Sequence, residues 1–412
     1  MTAPRTPKIP YGGDYNPEQW PETVRDDDHR LFTRAGIDTL TVGVFTWSLT
    51  QPAPDTYDFT VLDGVLDRAA TEGRQVCLAT GTAALPPWLA KRHPEVNRTE
   101  KYHGAVIGHA GRDDTRVFRE VAELGQELAA LGDRTLGART PARTALLFDW
   151  DSWWALEISD GPSRLVKYPD VVHAYYRAAR EAGADVDVIG QTADLSPYDV
   201  VLAPALHMVK GDLATRLEDV AARGGTVLTT FLSGRVDEHD RAFLTDVPGP
   251  LAPLMGIRVD EWDARPPDFI QPVPELPAEA RLVFEIVLPR GAEPVATYGT
   301  DFYAGTPAVT RHPFGDGEGW YVATALDQPG VDQVVRRILT RHDLLGPYAD
   351  HPVVETATRV APDGTRLLFL LNHAPEPALL TAHTTATDLL AGKRVEQGEP
   401  LVLDPLGVAI LQ

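Results

Sequence analysis

The sequence predicts an α/β protein in three blocks: a parallel βα block that stops early (residues 1–137), a flavodoxin- or amidotransferase-like α/β domain (138–347) and a small antiparallel β domain (348–412). Three observations carry that prediction. Strand-like and helix-like segments alternate at close spacing before residue 100. The alternation starts afresh at Ala145. Short strands with period-two patterning fill the C-terminal stretch.

The first block opens on a Pro- and Gly-rich stretch with YGGDYNPEQWPE, which makes a short strand and then a turn. In PETVRDDDHRLFTRAG, Pro21 starts a helix, acids fill its first turn and Gly36 stops it. IDTLTVGVFTWS is a buried strand rich in β-branched residues. DFTVLDGVLDRAATEGR is a second amphipathic helix ended by Gly73, and QVCLATGTAALPPWLAKRHPEV is a third strand running into a loop and a short helix. This βαβαβ order implies a parallel sheet with right-handed crossovers. It fits either a doubly wound sheet or an eightfold barrel. Asp14, Asn16, Glu18, Trp47 and Trp88 follow the strand ends, the edge where a barrel holds its active site. Corner packing is the competing reading of the tryptophans, and the residues alone favour it. TRVFREVAELGQELAALGDR, 115–134, is one amphipathic helix with a Gly-containing linker after it.

The second block contains the strand Ala145–Phe148, the helix YPDVVHAYYRAAREAG, the strands VDVIG and YDVVLAP, the helix GDLATRLEDVAARG and the strand TVLTTF. It runs to the helix VDQVVRRILTRHDLLG, which ends near Gly346. From about His351 the chain reads as short alternating strands.

Composition excludes several functions. The formal charge of −21 argues against nucleic acid and against an anionic membrane surface, and fits a neutral substrate or solubility alone. No run is long or apolar enough to span a bilayer, and no apolar leader is visible, so the cytoplasm is the default expectation. A single cysteine, Cys77, supports neither a disulfide framework nor a cysteine zinc site. Amidotransferase chemistry in the second block needs a Cys nucleophile with a His and an acid, and Cys77 lies outside that block. Ser233 in LTTFLSG has no His partner apparent in the sequence.

YGGDYNPEQWPE, TVGVFTWSLTQPAPDTYDFTVLD and ATGTAALPPWLAKRHPEV closely resemble the start of the glycoside hydrolase family 42 β-galactosidases. The resemblance resumes at EKYHGAVIGHAG and continues through ALLFDWDSWWALE, VVLAPAL, SGRVDEHDR and FLLNHAPEP. It implies a catalytic (β/α)8 barrel, an amidotransferase-like trimerisation domain and a small β domain. The implied reaction is hydrolysis of terminal β-galactosides with retention, and the implied assembly is a homotrimer held by the middle domain. In the family, HPEV lies just after the third barrel strand and the E-x-x-H of EKYHGA just after the eighth. Here they are nearly joined, so a segment on the order of five βα units is missing between about Val96 and Lys101.

That gap falls on the chemistry. Retaining glycosidases use two carboxylates flanking the glycosidic bond, one protonated and one ionised. The resemblance implies a Glu in an Asn-Glu pair after the fourth strand and a nucleophilic Glu after the seventh. No Asn-Glu dipeptide occurs here and no segment resembles the nucleophile strand, so no catalytic residue is assigned. Glu100 and His103 match the E-x-x-H, which the resemblance makes a pair that hydrogen-bonds galactose hydroxyls; a solvated loop pair is the alternative. Thr41 stands where the family often has an Arg near the sugar. The family's zinc-binding cysteines also fall in the gap, so neither metal nor cofactor is expected. Three strands without a barrel leave an open edge and a bare face, expected near Val42, Val44, Val76 and Leu78 unless the 115–134 helix covers it.

Overall fold

The structure is a computed structural model and describes residues 8–81, 85–93, 113–159 and 161–412. It divides into two compact units, Met1–Ala138 and Arg139–Gln412.

The first unit is a three-stranded parallel sheet, β1 (Gly12–Tyr15), β2 (Thr39–Val42) and β3 (Gln75–Leu78), in that order. The connections are α1 (Glu22–Arg34), a short α2 (Trp47–Thr50) and α3 (Thr60–Thr71); α4 (Pro87–Arg92) follows β3. The predicted strand IDTLTVGVFTWS is thus only half strand. Gly43, at φ +85°, turns the chain out of the sheet, and Trp47 opens a helical turn instead.

One face of this sheet is packed. Tyr15, Leu40 and Val42 are buried against Phe32 of α1 and Val65 of α3, with Val76 beside them. The other face carries the alternate residues, and Asp14, Thr41 and Cys77 lie side by side across it. Asp14 and Cys77 are exposed. The expected bare apolar face is therefore corrected: Val42 and Val76 point to the helices, and the exposed row is small and polar because β1 to β3 alternate with period two. Leu78 alone of the four is strongly exposed, at 58%.

The helix predicted at 115–134 is α5 (Arg116–Leu131), capped by Thr115, whose Oγ1 accepts from the Phe118 amide at 3.1 Å. It packs beside α1 through Phe118, Leu31 and Ala35 rather than over the exposed row. Gly125 permits this approach, since a Cβ there would sit 2.4 Å from the Ala35 carbonyl oxygen. Tyr11 fastens the pair by donating to the Val121 carbonyl at 2.6 Å. Because Cys77 faces solvent, its thiol is expected to react fully with a colorimetric disulfide reagent without denaturant. A thiol titrated only after unfolding would mean that the exposed row is covered.

The second unit holds a seven-stranded sheet in the order β11-β12-β13-β7-β6-β4-β5. Its parallel strands are β4 (Thr144–Leu147), β5 (Val186–Ile189), β6 (Val200–Ala203), β7 (Thr226–Thr230) and β13 (Gly317–Val322), and β11 (Glu293–Thr297) and β12 (Pro307–Phe314) are antiparallel. α6 (Trp150–Ile158), α7 (Tyr168–Glu181), α8 (Leu213–Ala222), a short α9 (Ala252–Met255) and α10 (Gln328–Arg341) complete the helices. Burial on both faces explains the continuous apolar runs. In β4, Leu146 faces the cluster of α7 and α10, while Ala145 and Leu147 face that of α8. A second sheet pairs β8 (Ile257–Ala264), β9 (Gln271–Val273) and β14 (Thr324–Leu326) with the long β10 (Ala278–Pro289).

The C-terminal part is antiparallel. β15 (Val354–Val360), β16 (Arg366–Asn372), β18 (Ala386–Asp388), β19 (Lys393–Val395) and β21 (Val408–Leu411) form one sheet, and β17 (Ala378–Thr381) pairs with β20 (Pro400–Leu403). Arg180 of α7 ties it to the larger sheet, donating to the Thr356 carbonyl and to Glu355 at 2.5 and 3.0 Å. Among the described residues, no helix is long and apolar enough to cross a membrane.

Candidate functional site

In a parallel βα fold the chemistry sits beyond the C-terminal strand ends. In the first unit these ends lead into the Asn16–Trp20 turn, the Gly43–Gln51 segment and the approach to α4. Gln51 organises them. Its side-chain oxygen accepts from the Trp47 indole at 2.8 Å, its backbone oxygen from the Trp88 indole at 2.9 Å, and its amide donates to the Pro54 carbonyl at 2.8 Å. Both indole N–H groups are thus spent on holding loops together. Trp88 also carries the Arg92 guanidinium 5.9 Å from its ring centroid.

The carboxylates at this edge differ in setting. Asp14 lies in the exposed row. Glu18 is half-buried in the 3-10 turn Pro17–Gln19, and burial raises its pKa while the Arg25 guanidinium opposes the rise. Glu18 Oε1 and Asn16 Oδ1 are buried atoms without a protein hydrogen bond. Thr41 sits mid-row beside Asp14, so no guanidinium projects from that position. Glu100 and His103, the two residues expected to bind sugar, lie outside the described residues.

A cavity of about 460 Å³ lies on the packed, helical side of the sheet, lined by Tyr15, Arg25, Asp26, His29 and Arg68 among others. His29 is 3% exposed and contacts Glu72 through Nδ1 at 2.7 Å. Burial, then the guanidinium groups of Arg68 and Arg74, lower its pKa to about 4 despite nearby Asp28 and Asp26. Unfolding restores the ordinary value of about 6.5, so between pH 6.5 and 4 the unfolded chain binds the extra proton. Stability is therefore present above pH 6.5 and lost as pH falls toward 4, by on the order of 2 kcal/mol. Hydrogen exchange of the β1–β3 amides is expected to accelerate from pH 7 to pH 4.5 beyond the intrinsic pH effect. His29→Gln is expected to flatten that excess; an unchanged excess would overturn its assignment to His29.

In the second unit the polar candidates Ser233 and His207 are both engaged in hydrogen bonds. Ser233 is fully buried, and its Oγ accepts from Thr229 Oγ1 at 2.7 Å. His207 uses Nδ1 on the Leu232 carbonyl at 3.1 Å and lines a separate cavity of about 500 Å³ with Arg235, Asp240, Phe243 and Val247. Glu285, which the sequence reading passed over, is fully buried in β10 and gathers three donors: the Leu232 amide at 3.0 Å, Arg235 at 2.6 Å and the Tyr321 hydroxyl at 2.5 Å. Its signal was a lone acid in the apolar run VFEIVLP. Among the described residues no group of three or more His, Cys, Asp and Glu side chains is placed to hold a metal.

Three family models match the chain in order: Beta-galactosidase at residues 14–100, Beta-galactosidase trimerisation domain at 142–345 and Beta-galactosidase C-terminal domain at 353–412. Similar curated proteins include Beta-galactosidase BgaA of a Planococcus species, 42% identical over 77% of this chain and 48% of its own length. Beta-galactosidase LacZ of Lactobacillus acidophilus is 38% identical over 73% of this chain and 46% of its own length. The chain spans about half the length of these curated relatives. Among solved structures, the β-galactosidase of Bacillus circulans superposes with a TM-score of 0.91 at 26% identity, over 98% of this chain and 99% of the other. The enzyme of Rahnella sp. R3 shares the fold, with a TM-score of 0.88 at 22% identity over 98% of each chain. With all three models matched in order and the catalytic one confined to residues 14–100, the chain belongs to the GH42 β-galactosidase family, in a form with a shortened catalytic region.

Proposed function

We propose that this chain is a non-catalytic member of its family. It has lost most of the barrel between about Val96 and Lys101 and persists as an oligomerising protein, a homotrimer through residues 138–347. Residues 1–137 form the barrel remnant and 348–412 the C-terminal β domain. Its sugar binding is at most weak and rests on Glu100 and His103.

One observation carries this reading: among the described residues, three parallel strands stand where a barrel needs eight. The family's two catalytic glutamates, as the resemblance implies them, follow the fourth and seventh strands. The three asparagines, Asn16, Asn97 and Asn372, are followed by Pro, Arg and His, so no Asn-Glu acid/base pair exists. The match of the catalytic family model to residues 14–100 alone, in a chain about half the length of its curated relatives, supports a shortened catalytic region.

The test is a chromogenic β-galactoside assay of the full chain at high protein concentration, beside Glu100→Gln. No turnover above buffer is expected from either. Turnover abolished by Glu100→Gln would show that a new carboxylate site has assembled and would overturn the proposal.

A further inference from the structure

We propose that the outer face of α6, Trp150, Trp154 and Ile158 with Leu165 beyond it, is a surface through which the chain binds a second copy of itself. This rests on reading the middle domain as a trimerisation module, and it names the face used.

α6 is apolar on two sides. Its inner side packs through buried Ser152 and Ala155 and through Trp153 and Leu156. Its outer side presents Trp150, Trp154 and Ile158, spaced i, i+4 and i+8, which lie on one stripe of a helix. Their exposures are 56, 55 and 78%, and Leu165 adds 55%. Asp151 and Glu157, also exposed, flank this stripe on either side. A surface helix ordinarily turns polar residues outward, so large apolar side chains along the middle of the outer face lack a covering partner.

The stripe is also organised. Trp150 stacks on Trp153 with ring centroids 5.2 Å apart and lies 6.1 Å from Trp154, and Phe148 meets Trp150 edge-on at 5.0 Å. The N-terminal end is fixed by Asp149, which caps the Ser152 amide at 2.8 Å and pairs with Lys210 at 2.6 Å. Rings already ordered in the free chain lose little freedom on docking. At the other end, Ala155 and Ile158 form part of the wall of the 500 Å³ cavity with Phe243 and Val247. A neighbour's side chain can enter there, next to the stripe.

The second copy is the occupant because the whole stripe falls inside residues 142–345, the stretch matched by the trimerisation model. The four side chains expose on the order of 400 Å² of apolar area, about half of the ~800 Å² that a standard interface takes from one partner. Central tryptophans are also the residue type that dominates such contacts. In a cyclic trimer the contact is heterologous, so each stripe meets a different surface of the next copy and one substitution acts at all three joints.

The experiment is sedimentation equilibrium of the full chain, with Trp154→Glu/Ile158→Glu, Trp154→Ala and Leu379→Ser alongside. Leu379 is 72% exposed in β17, outside the matched stretch. Far-ultraviolet circular dichroism confirms that each is folded. The wild type and Leu379→Ser are expected to be trimers, the double variant a monomer, and Trp154→Ala to associate at least about tenfold more weakly. If the double variant fails to fold, Trp154→Ala decides. A trimer that tolerates the stripe variants overturns this face and leaves the trimer reading intact. A monomeric wild type overturns both. Dissociation by Leu379→Ser to the same extent also overturns the assignment.

Discussion

β-Galactoside hydrolysis by this chain is expected to run at the level of buffer, at least about 10⁶-fold below a full-length relative. A catalytic set acting as a unit loses about that factor when its members go. Retention needs two carboxyl groups about 5 Å apart across the glycosidic bond, one of them protonated near neutral pH. Glu18 has part of the second property, because burial raises its pKa. Asp14, the other acid at the strand ends, lies in an exposed row with solvent in front of it. An ionised carboxylate in open water is a weak nucleophile toward a sugar, since nothing excludes the competing solvent or holds the anomeric carbon. A double variant, Asp14→Asn/Glu18→Gln, is therefore expected to match the wild type within assay noise. Measured turnover lost in that variant but kept in Glu100→Gln would place a rescued site at the β1 end and defeat the reading of an inactive remnant.

The break in the barrel was legible because it is a discontinuity of order. The chain passes from a third strand to a closing-loop motif without the intervening units, and the structure has β3, α4 and then α5. The middle sheet was legible for a different reason. Its strands are buried on both faces, so VVLA and TVLTT stand out as apolar runs between helices with clear periodicity. The stretch from β8 to β14 carries no such signal. Its strands are irregular: β10 bonds to β8, β9 and β14 at different points along its length, with register shifts between Ile286 and Val287 and between Arg281 and Phe284. Such bulges break the alternation that marks a strand. Apolarity alone points the wrong way for the exposed face, since register and not hydrophobicity decides which side of β2 meets the helices.

The site was less legible than the fold. Trp47 and Trp88 read as active-site edge residues or as corner packing, and Gln51 decides the use of their N–H groups. No local pattern announces that link, because Gln51 and Trp88 meet only through folding. The outer face of α6 had a visible signal, three tryptophans in WDSWWALE, but tryptophan is ordinarily a core residue and the sequence does not say which of the three turns outward.

Arg235→Ala is expected to destabilise the unit Arg139–Gln412 by about 3–5 kcal/mol, the usual loss when one partner of a buried ion pair is removed. Glu285 has no solvent contact, and Arg235 supplies its cation at 2.6 Å while the Trp262 ring lies 4.4 Å from the guanidinium carbon. Without Arg235 the carboxylate keeps the Leu232 amide and the Tyr321 hydroxyl but loses its countercharge. At about 2–4 °C per kcal/mol for a domain of this size, calorimetry should show the unit melting on the order of 10 °C earlier. Glu285→Gln tests the same contact from the other side: it keeps the volume and leaves Arg235, 17% exposed, with access to water, so a smaller loss of about 1–2 kcal/mol is expected. A deficit in Arg235→Ala of under about 1 kcal/mol would show that the two hydrogen bonds alone sustain the buried charge.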